Sequence, residues 1–310
     1  NTLIKKTFLF PGQGAQYVGM GRDIYDNSRS ARKLYEEAND ILGFNIADVC
    51  FNGKQELLDR TSICQPAILV TSLAIIEALK EQGAYDTDCF AVAGLSLGEY
   101  TALVFAGAIR FEDAIKLVHN RGKYMEEACN EFPGGMLTIM GLEDEIIEEI
   151  CRDAGWAGAI SPANYNYHGQ IVISGEKDAI EAASEIAKER GARMVIPLNV
   201  NGAFHSSLMN SASKKLEYEL NMITISKAEI PVVANINGSY VCDPDEIRQS
   251  LVKQLTNPVL WCRSVQNLIK DGVEEFYGVG PGRVMAGIMK KIDRKKKINS
   301  LDKFESFRFN

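Results

Sequence analysis

The pentapeptide Gly94-Leu95-Ser96-Leu97-Gly98 follows an apolar run, Phe90-Ala91-Val92-Ala93, and leads into a stretch with Leu103, Val104 and Ala106 at inward helical positions. A serine between two glycines at a strand-to-helix turn has the setting of a nucleophile elbow. The glycines let the chain turn tightly and let backbone approach backbone. The helix N-terminus favours negative charge developing beside the hydroxyl. The competing reading is an ordinary helix-start serine. A nucleophilic serine needs a base, and the chain has only three histidines, His119, His168 and His205. His119 lies in an apolar helical stretch and His168 in a loop. Elimination leaves His205, which follows Gly202-Ala203-Phe204. No acidic residue stands out as a third member. About 105 residues follow His205, whereas the usual α/β-hydrolase order puts its histidine close to the C-terminus. The usual hydrolase topology therefore fits poorly.

These residues need a scaffold. Thr7-Phe8-Leu9-Phe10 reads as a buried strand stopped by Pro11-Gly12. Gln65-Pro66 reads as the start of a long helix, with Ile68, Leu69, Leu73, Ile76 and Leu79 at helical spacing and Gly83 at its end. Strand, helix, strand, helix implies a parallel sheet wrapped by helices. The middle of the chain has a different grain. Strands are expected at 136–140, 157–163, 170–174 and 194–198, with helices at 143–154 and 177–190. Strand-helix-strand-strand-helix-strand in about 65 residues is the split, ferredoxin-like pattern. The fold expected is α/β: a hydrolase-like parallel-sheet core, residues 1–132 and 199–310, carrying an inserted small ferredoxin-like α+β subdomain, residues 133–198. Gly134-Gly135 and Asn199 to Gly202 are the expected hinges.

Composition narrows the functions. A net charge of −7 argues against a general nucleic-acid binder. No apolar run is expected to reach the roughly 20 residues that span a bilayer, and Asn1 to Lys6 lack the apolar stretch of a signal peptide. Seven scattered cysteines with no CxxC pair read as reduced thiols of a cytoplasmic protein. With three histidines there is little material for a zinc site.

Phe10-Pro11-Gly12-Gln13-Gly14-Ala15-Gln16 together with Gly94-Leu95-Ser96-Leu97-Gly98-Glu99-Tyr100 resembles the malonyl-CoA:acyl carrier protein transacylase family. The resemblance continues through Arg121-Gly122, Asn164-Tyr165-Asn166, Gly202-Ala203-Phe204-His205-Ser206, Asn257-Pro258-Val259 and Gly280-Pro281-Gly282, in the family's order and over nearly the whole chain. It implies the hydrolase-like core with a ferredoxin-like insert. It implies Ser96 as acylated nucleophile and His205 as general base and acid. The carbonyl of Asn257 would hold the imidazole in place of an aspartate, and the backbone amides of Gln13 and Leu97 would form the oxyanion hole. Gln65 would line the active site, although a helix N-cap is its alternative. Asn166, in the Asn-Tyr-Asn match, is a further substrate-binding candidate.

Arg121 follows the serine by 25 residues. A guanidinium grips a carboxylate through two parallel charge-assisted hydrogen bonds. Malonyl has a free carboxylate and acetyl has none, so an arginine facing the pocket would select malonyl. Phe204 would crowd a branched acyl group. Leu95 departs from the family, which usually has histidine before the serine, so a polar neighbour of the acyl pocket is lost. The implied reaction is ping-pong transfer of malonyl from malonyl-CoA to the phosphopantetheine thiol of an acyl carrier protein, in fatty acid biosynthesis. A coenzyme A thioester is the substrate, with no metal and no tightly bound cofactor. The expected partner is the carrier protein, with no nucleic acid or membrane, and the resemblance implies a monomer. The alternatives are a trans-acting acyltransferase of a polyketide synthase, a serine acyl-thioester hydrolase and a non-catalytic docking scaffold. For carrier docking, Lys188, Arg190 and Arg193 are favoured over the run from Lys290 to Lys297.

Overall fold

The computed structural model describes residues 3–83 and 86–307; Asn1 and Thr2 of the N-terminal stretch read above lie outside them. In chain order the structure opens with β1 (Lys5–Phe10), α1 (Arg22–Asn27), α2 (Arg29–Leu42), α3 (Ile46–Asn52), α4 (Gln55–Leu58) and α5 (Thr61–Gln82). Next come β2 (Ala91–Gly94), α6 (Leu97–Phe105) and α7 (Phe111–Glu131). The middle holds β3 (Gly135–Met140), α8 (Asp144–Ala154), β4 (Ile160–Tyr167), β5 (Gln170–Gly175), α9 (Lys177–Glu189) and β6 (Met194–Pro197). The chain closes with α10 (Asn210–Met222), β7 (Val232–Val233), β8 (Tyr240–Val241), α11 (Pro244–Gln254), α12 (Trp261–Lys270), β9 (Val273–Val279), α13 (Val284–Ile292) and β10 (Ile298–Leu301).

Six strands form one sheet in the order β10-β9-β1-β2-β7-β8, and every pairing except β7 with β8 is parallel. Phe8, Leu9 and Phe10 are fully buried, as an apolar run covered on both faces by helices requires. The longest helix, α5, begins four residues before the expected Gln65. By length and composition it could cross a membrane, contrary to the sequence expectation, but 89% of its most apolar stretch is buried inside the protein. A helix that is apolar on every face is stable only in a core. Gly83 ends it in the left-handed conformation, where glycine carries no Cβ penalty. Pro66 within α5 has no N–H to give the carbonyl of Ser62. That carbonyl instead meets Nδ1 of His119 at 2.8 Å, so His119 is absorbed in helix packing.

The second sheet is antiparallel, ordered β4-β5-β3-β6, with α8 and α9 on one face. Leu137, Ile139, Ile171 and Ile173 point to those helices and form a separate small core with Ile147, Ile150, Ala183 and Ala187. The alternate residues Met136, Thr138, Gln170 and Val172 face the cleft between the sheets. β4 runs past the expected end at residue 163, because Asn164 and Asn166 turn their amides to the cleft while Tyr165 packs against the helices. That alternation places polar residues on a face an apolar reading leaves out. The Asn257-Pro258-Val259 motif, between α11 and α12, docks on the edge of this sheet at β4: Val259 N–H donates to Ala163 at 2.8 Å, and Tyr165 N–H donates to Val259 at 2.9 Å.

Candidate active site

Phe10 lies opposite Gly94 in the parallel register. The loop after β1 and the turn after β2 therefore leave the sheet side by side at its carboxyl end, where open α/β sheets bind ligands. The motif glycines are there for contact. A Cβ on Gly94 would collide with the backbone of Gly98, one on Gly98 with the carbonyl of Phe10, and one on Gly12 with the carbonyl of Leu95. Ser96 sits at the turn with φ 51°, and His205 has φ 58°. These are the only non-glycine residues with positive φ among the described residues, and each such conformation costs about 1–3 kcal/mol.

The two strained residues meet. Ser96 Oγ is 2.9 Å from His205 Nε2. His205 Nδ1 is 2.8 Å from a backbone carbonyl, which can only accept, so Nδ1 carries the proton and Nε2 is free to take one from the serine. The carbonyl is that of Gln254, not the expected Asn257. Residue 254 ends α11, whose last carbonyls have no partner within the helix. The backbone of Asn257 is a lesser second contributor to the imidazole. The Asn257 side chain turns outward and donates to the Lys253 carbonyl at 2.8 Å. His205 is 4% exposed. Burial first, then the Arg121 charge, push its pKa down to about 4, against the backbone hydrogen bonds that raise it. The imidazole is therefore neutral, a base, at pH 7.

Arg121 comes from α7. Gly122 beside it lets α7 approach α5 so closely that a Cβ there would strike the Ser62 backbone. The guanidinium is 1% exposed. It donates from Nη1 to Gln65 Oε1 at 2.7 Å, and from Nη2 to Gln254 Oε1 at 3.0 Å and Ser96 Oγ at 3.2 Å. Nε has no partner among the described residues. Every hydrogen-bond partner is neutral, and no carboxylate lies within ion-pair distance among the described residues. The buried Glu99 acts on the guanidinium from beyond contact distance; a buried cation with no carboxylate in contact is costly alone and well matched to an incoming anion.

The other expected residues fall as follows. Gln65 is fully buried inside α5, not at its N-cap. Leu95, Leu97, Asn166 and Phe204 all line one cleft of about 620 Å³ together with Ser96 and Arg121. The N–H groups of Gln13 and Leu97 have no backbone acceptor among the described residues; Leu97 is the first residue of α6, where no carbonyl four residues back is available. Three residues the sequence reading left without a role complete the cluster. Asn235 accepts from Ser96 N–H at 2.8 Å and donates to the Gly94 carbonyl at 2.7 Å. Gln254 donates to the Ser96 carbonyl at 2.9 Å. Glu99, 2% exposed, accepts from Asn235 N–H at 2.6 Å. Glu99 stood within the Gly-Glu-Tyr motif, a usable signal; Asn235 and Gln254 had none.

A serine and a neutral histidine in contact at a strand-to-helix turn, on a parallel α/β sheet, define the class of serine enzymes of acyl chemistry. The acyl transferase domain family matches residues 7–300. The chain is similar to the malonyl CoA-acyl carrier protein transacylase of Bacillus subtilis, 42% identical over 294 residues, which are 94% of this chain and 92% of that protein. It is 42% identical to the Escherichia coli K12 transacylase over 92% of each. Its structure resembles the transacylase of Clostridium perfringens at 41% identity and a TM-score of 0.92, covering 97% and 94% of the two chains. It also resembles a malonyl-transacylase solved with a type II polyketide acyl carrier protein, at 38% identity and a TM-score of 0.94, covering 98% and 97%. The chain belongs to the malonyl-CoA:acyl carrier protein transacylase family and is an acyltransferase.

Proposed function

We propose that the protein moves malonyl from malonyl-CoA to the phosphopantetheine thiol of an acyl carrier protein through an ester on Ser96. The observation that carries this reading is the buried Arg121, surrounded by neutral partners and 3.2 Å from the serine oxygen. His205 takes the Ser96 proton as the oxygen attacks the thioester carbonyl, and the amides of Gln13 and Leu97 receive the developing oxyanion. The proton passes to the departing coenzyme A sulfur. The carrier thiol then gives its proton to His205, attacks the ester and restores the serine. Asn166 belongs to the cleft wall, Gln65 lies buried behind it and holds Arg121, and Leu95 leaves that wall apolar beside the nucleophile. The reaction serves fatty acid or polyketide assembly, and cytoplasmic fatty acid synthesis is the pathway we favour. The test is to incubate the protein with malonyl-CoA, weigh the adduct, then add holo carrier protein or buffer. Adduct that is stable in buffer and lost to the carrier supports transfer; rapid loss in buffer supports a hydrolase.

Phe204 is 9% exposed and lines the cleft next to the base, with its carbonyl held by Ser174 at 2.6 Å. Phe204→Ser should raise methylmalonyl over malonyl transfer by about tenfold, the scale of a methylene-sized discrimination. An unchanged ratio in competition assays sinks steric selection here.

Carrier docking shifts from the cluster first favoured. Lys188 pairs with Glu185 at 3.5 Å and Arg190 with Glu149 at 3.0 Å. Lys290 and Lys291, exposed at the end of α13, pair with no carboxylate among the described residues, and Val284, Met285 and Ile288 of the same helix line the cleft. Replacing both lysines with Glu should slow the carrier half-reaction by about tenfold at low salt, since exposed charges steer encounter. The malonyl-CoA half-reaction should change much less. Equal slowing after Lys188 and Arg190 are replaced by Glu returns the docking site to the small domain.

A further inference from the structure

We infer that Asn235 is a positioning residue that sets the nucleophile's geometry, with Glu99 fixing Asn235 in turn. The inference rests on Ser96 as the nucleophile. It is drawn from four hydrogen bonds between parts of the chain more than 130 residues apart. The Asn235 side chain spans the elbow: its Oδ1 takes the Ser96 N–H at 2.8 Å, and its Nδ2 gives to the Gly94 carbonyl at 2.7 Å. Gln254 Nε2 holds the Ser96 carbonyl at 2.9 Å and reaches Asn235 Oδ1 at 3.2 Å. Both peptide groups flanking the serine α-carbon are thus held by amide side chains from outside the turn. Asn235 has no freedom of its own. Its N–H is taken by Glu99 Oε1 at 2.6 Å, and its carbonyl accepts from Leu260 N–H at 2.8 Å. It is 1% exposed, so water does not compete.

This clamp explains how a non-glycine residue is kept at φ 51°. Such a conformation persists only where its surroundings over-determine it. Without the clamp, the Ser96 N–H and the Gly94 carbonyl are buried and unpaired, and the turn gains by relaxing to negative φ. Oγ would then leave the point where it is 2.9 Å from the base and 3.2 Å from the guanidinium. Arg121 itself is still held by Gln65 at 2.7 Å. Loss of Asn235 should therefore affect acylation more than acyl recognition.

The experiment measures the single-turnover rate of malonyl ester formation on Ser96 across malonyl-CoA concentrations. Asn235→Ala should lower the limiting rate by about 100-fold, the scale of a small misplacement of reacting atoms, with little change in the half-saturating concentration. Asn235→Asp gives a readout that general loosening of the fold does not move. While ionised, the new carboxyl opposes the Gly94 carbonyl with a second acceptor. Once protonated it donates, as the amide does, and burial beside Glu99 favours protonation. The other ionisable groups of the cluster are Tyr100, Arg121 and His205, and they titrate in both proteins, as does Glu99, so the rate is read as variant over unsubstituted protein. That ratio should rise as pH falls from about 8 to about 6, by up to about tenfold per pH unit. An Ala variant that acylates at the unsubstituted rate overturns the assignment. So does an Asp variant whose deficit is the same at both pH values, and this arm decides if the Ala variant does not fold. Failure of the underlying reading looks different: the ester on the unsubstituted protein would map to a residue other than Ser96.

Discussion

Replacing Ser96 with alanine should abolish the covalent malonyl-protein and lower transfer by about 10⁴-fold or more, the scale seen when a nucleophile of a serine–histidine pair is removed. Among the described residues no other hydroxyl or thiol stands where Ser96 Oγ does, 2.9 Å from His205 Nε2 and 3.2 Å from the Arg121 guanidinium. The thiols of Cys50 and Cys64 are buried in the core, where desolvation lifts their pKa to about 12 and higher still, respectively, so neither presents a thiolate. Alanine keeps the Cβ and hence the backbone strain at the turn, so the change isolates the oxygen. The check is intact mass after incubation with malonyl-CoA, followed by peptide mapping. A persistent adduct that maps elsewhere would falsify the assignment of Ser96.

Arg121→Ala should turn a malonyl-selective protein into one that hardly distinguishes malonyl from acetyl. Leaving a buried carboxylate without its partner costs about 2–5 kcal/mol. At about 1.4 kcal/mol per decade, malonyl transfer falls by roughly 30-fold or more. Acetyl has no charge to lose, so its transfer should fall far less, or rise as the site ceases to hold an unpaired cation. Gln65 and Gln254 lose a donor in either case, which is a shared loss and cancels in the ratio. The measurement is kcat/KM for malonyl-CoA against acetyl-CoA. Equal losses for both would reduce Arg121 to a structural strut between α5, α7 and α11.

What the residues alone determined follows from short-range rules. Gly94 and Gly98 flank the serine in one local turn, so their spacing was readable, whereas the contacts of Gly98 with Phe10 and of Gly12 with Leu95 join distant parts of the chain. The apolar alternation that marks the small antiparallel sheet, and the continuous apolar run of β1, are properties of a few neighbouring residues. So is the scarcity of histidine that left His205 as the candidate base. Element ends were less legible where polar residues face a cleft, as on β4, or where a proline lies inside a helix turn, as at Pro66.

The tertiary structure alone decided how the turn is held and what surrounds the arginine. Asn235 and Gln254 act on Ser96 from 139 and 158 residues away, a separation at which no spacing rule operates. The precedence of Gln254 over Asn257 as the imidazole's carbonyl partner depends on where α11 ends in space, and Val259, two residues after Asn257, bonds to β4 of the small sheet. The neutrality of every Arg121 contact is likewise a fact of packing. It follows from which side chains α5, α11 and the turn before α6 bring within 3.2 Å of the guanidinium on α7, and a buried charge takes its meaning from those neighbours.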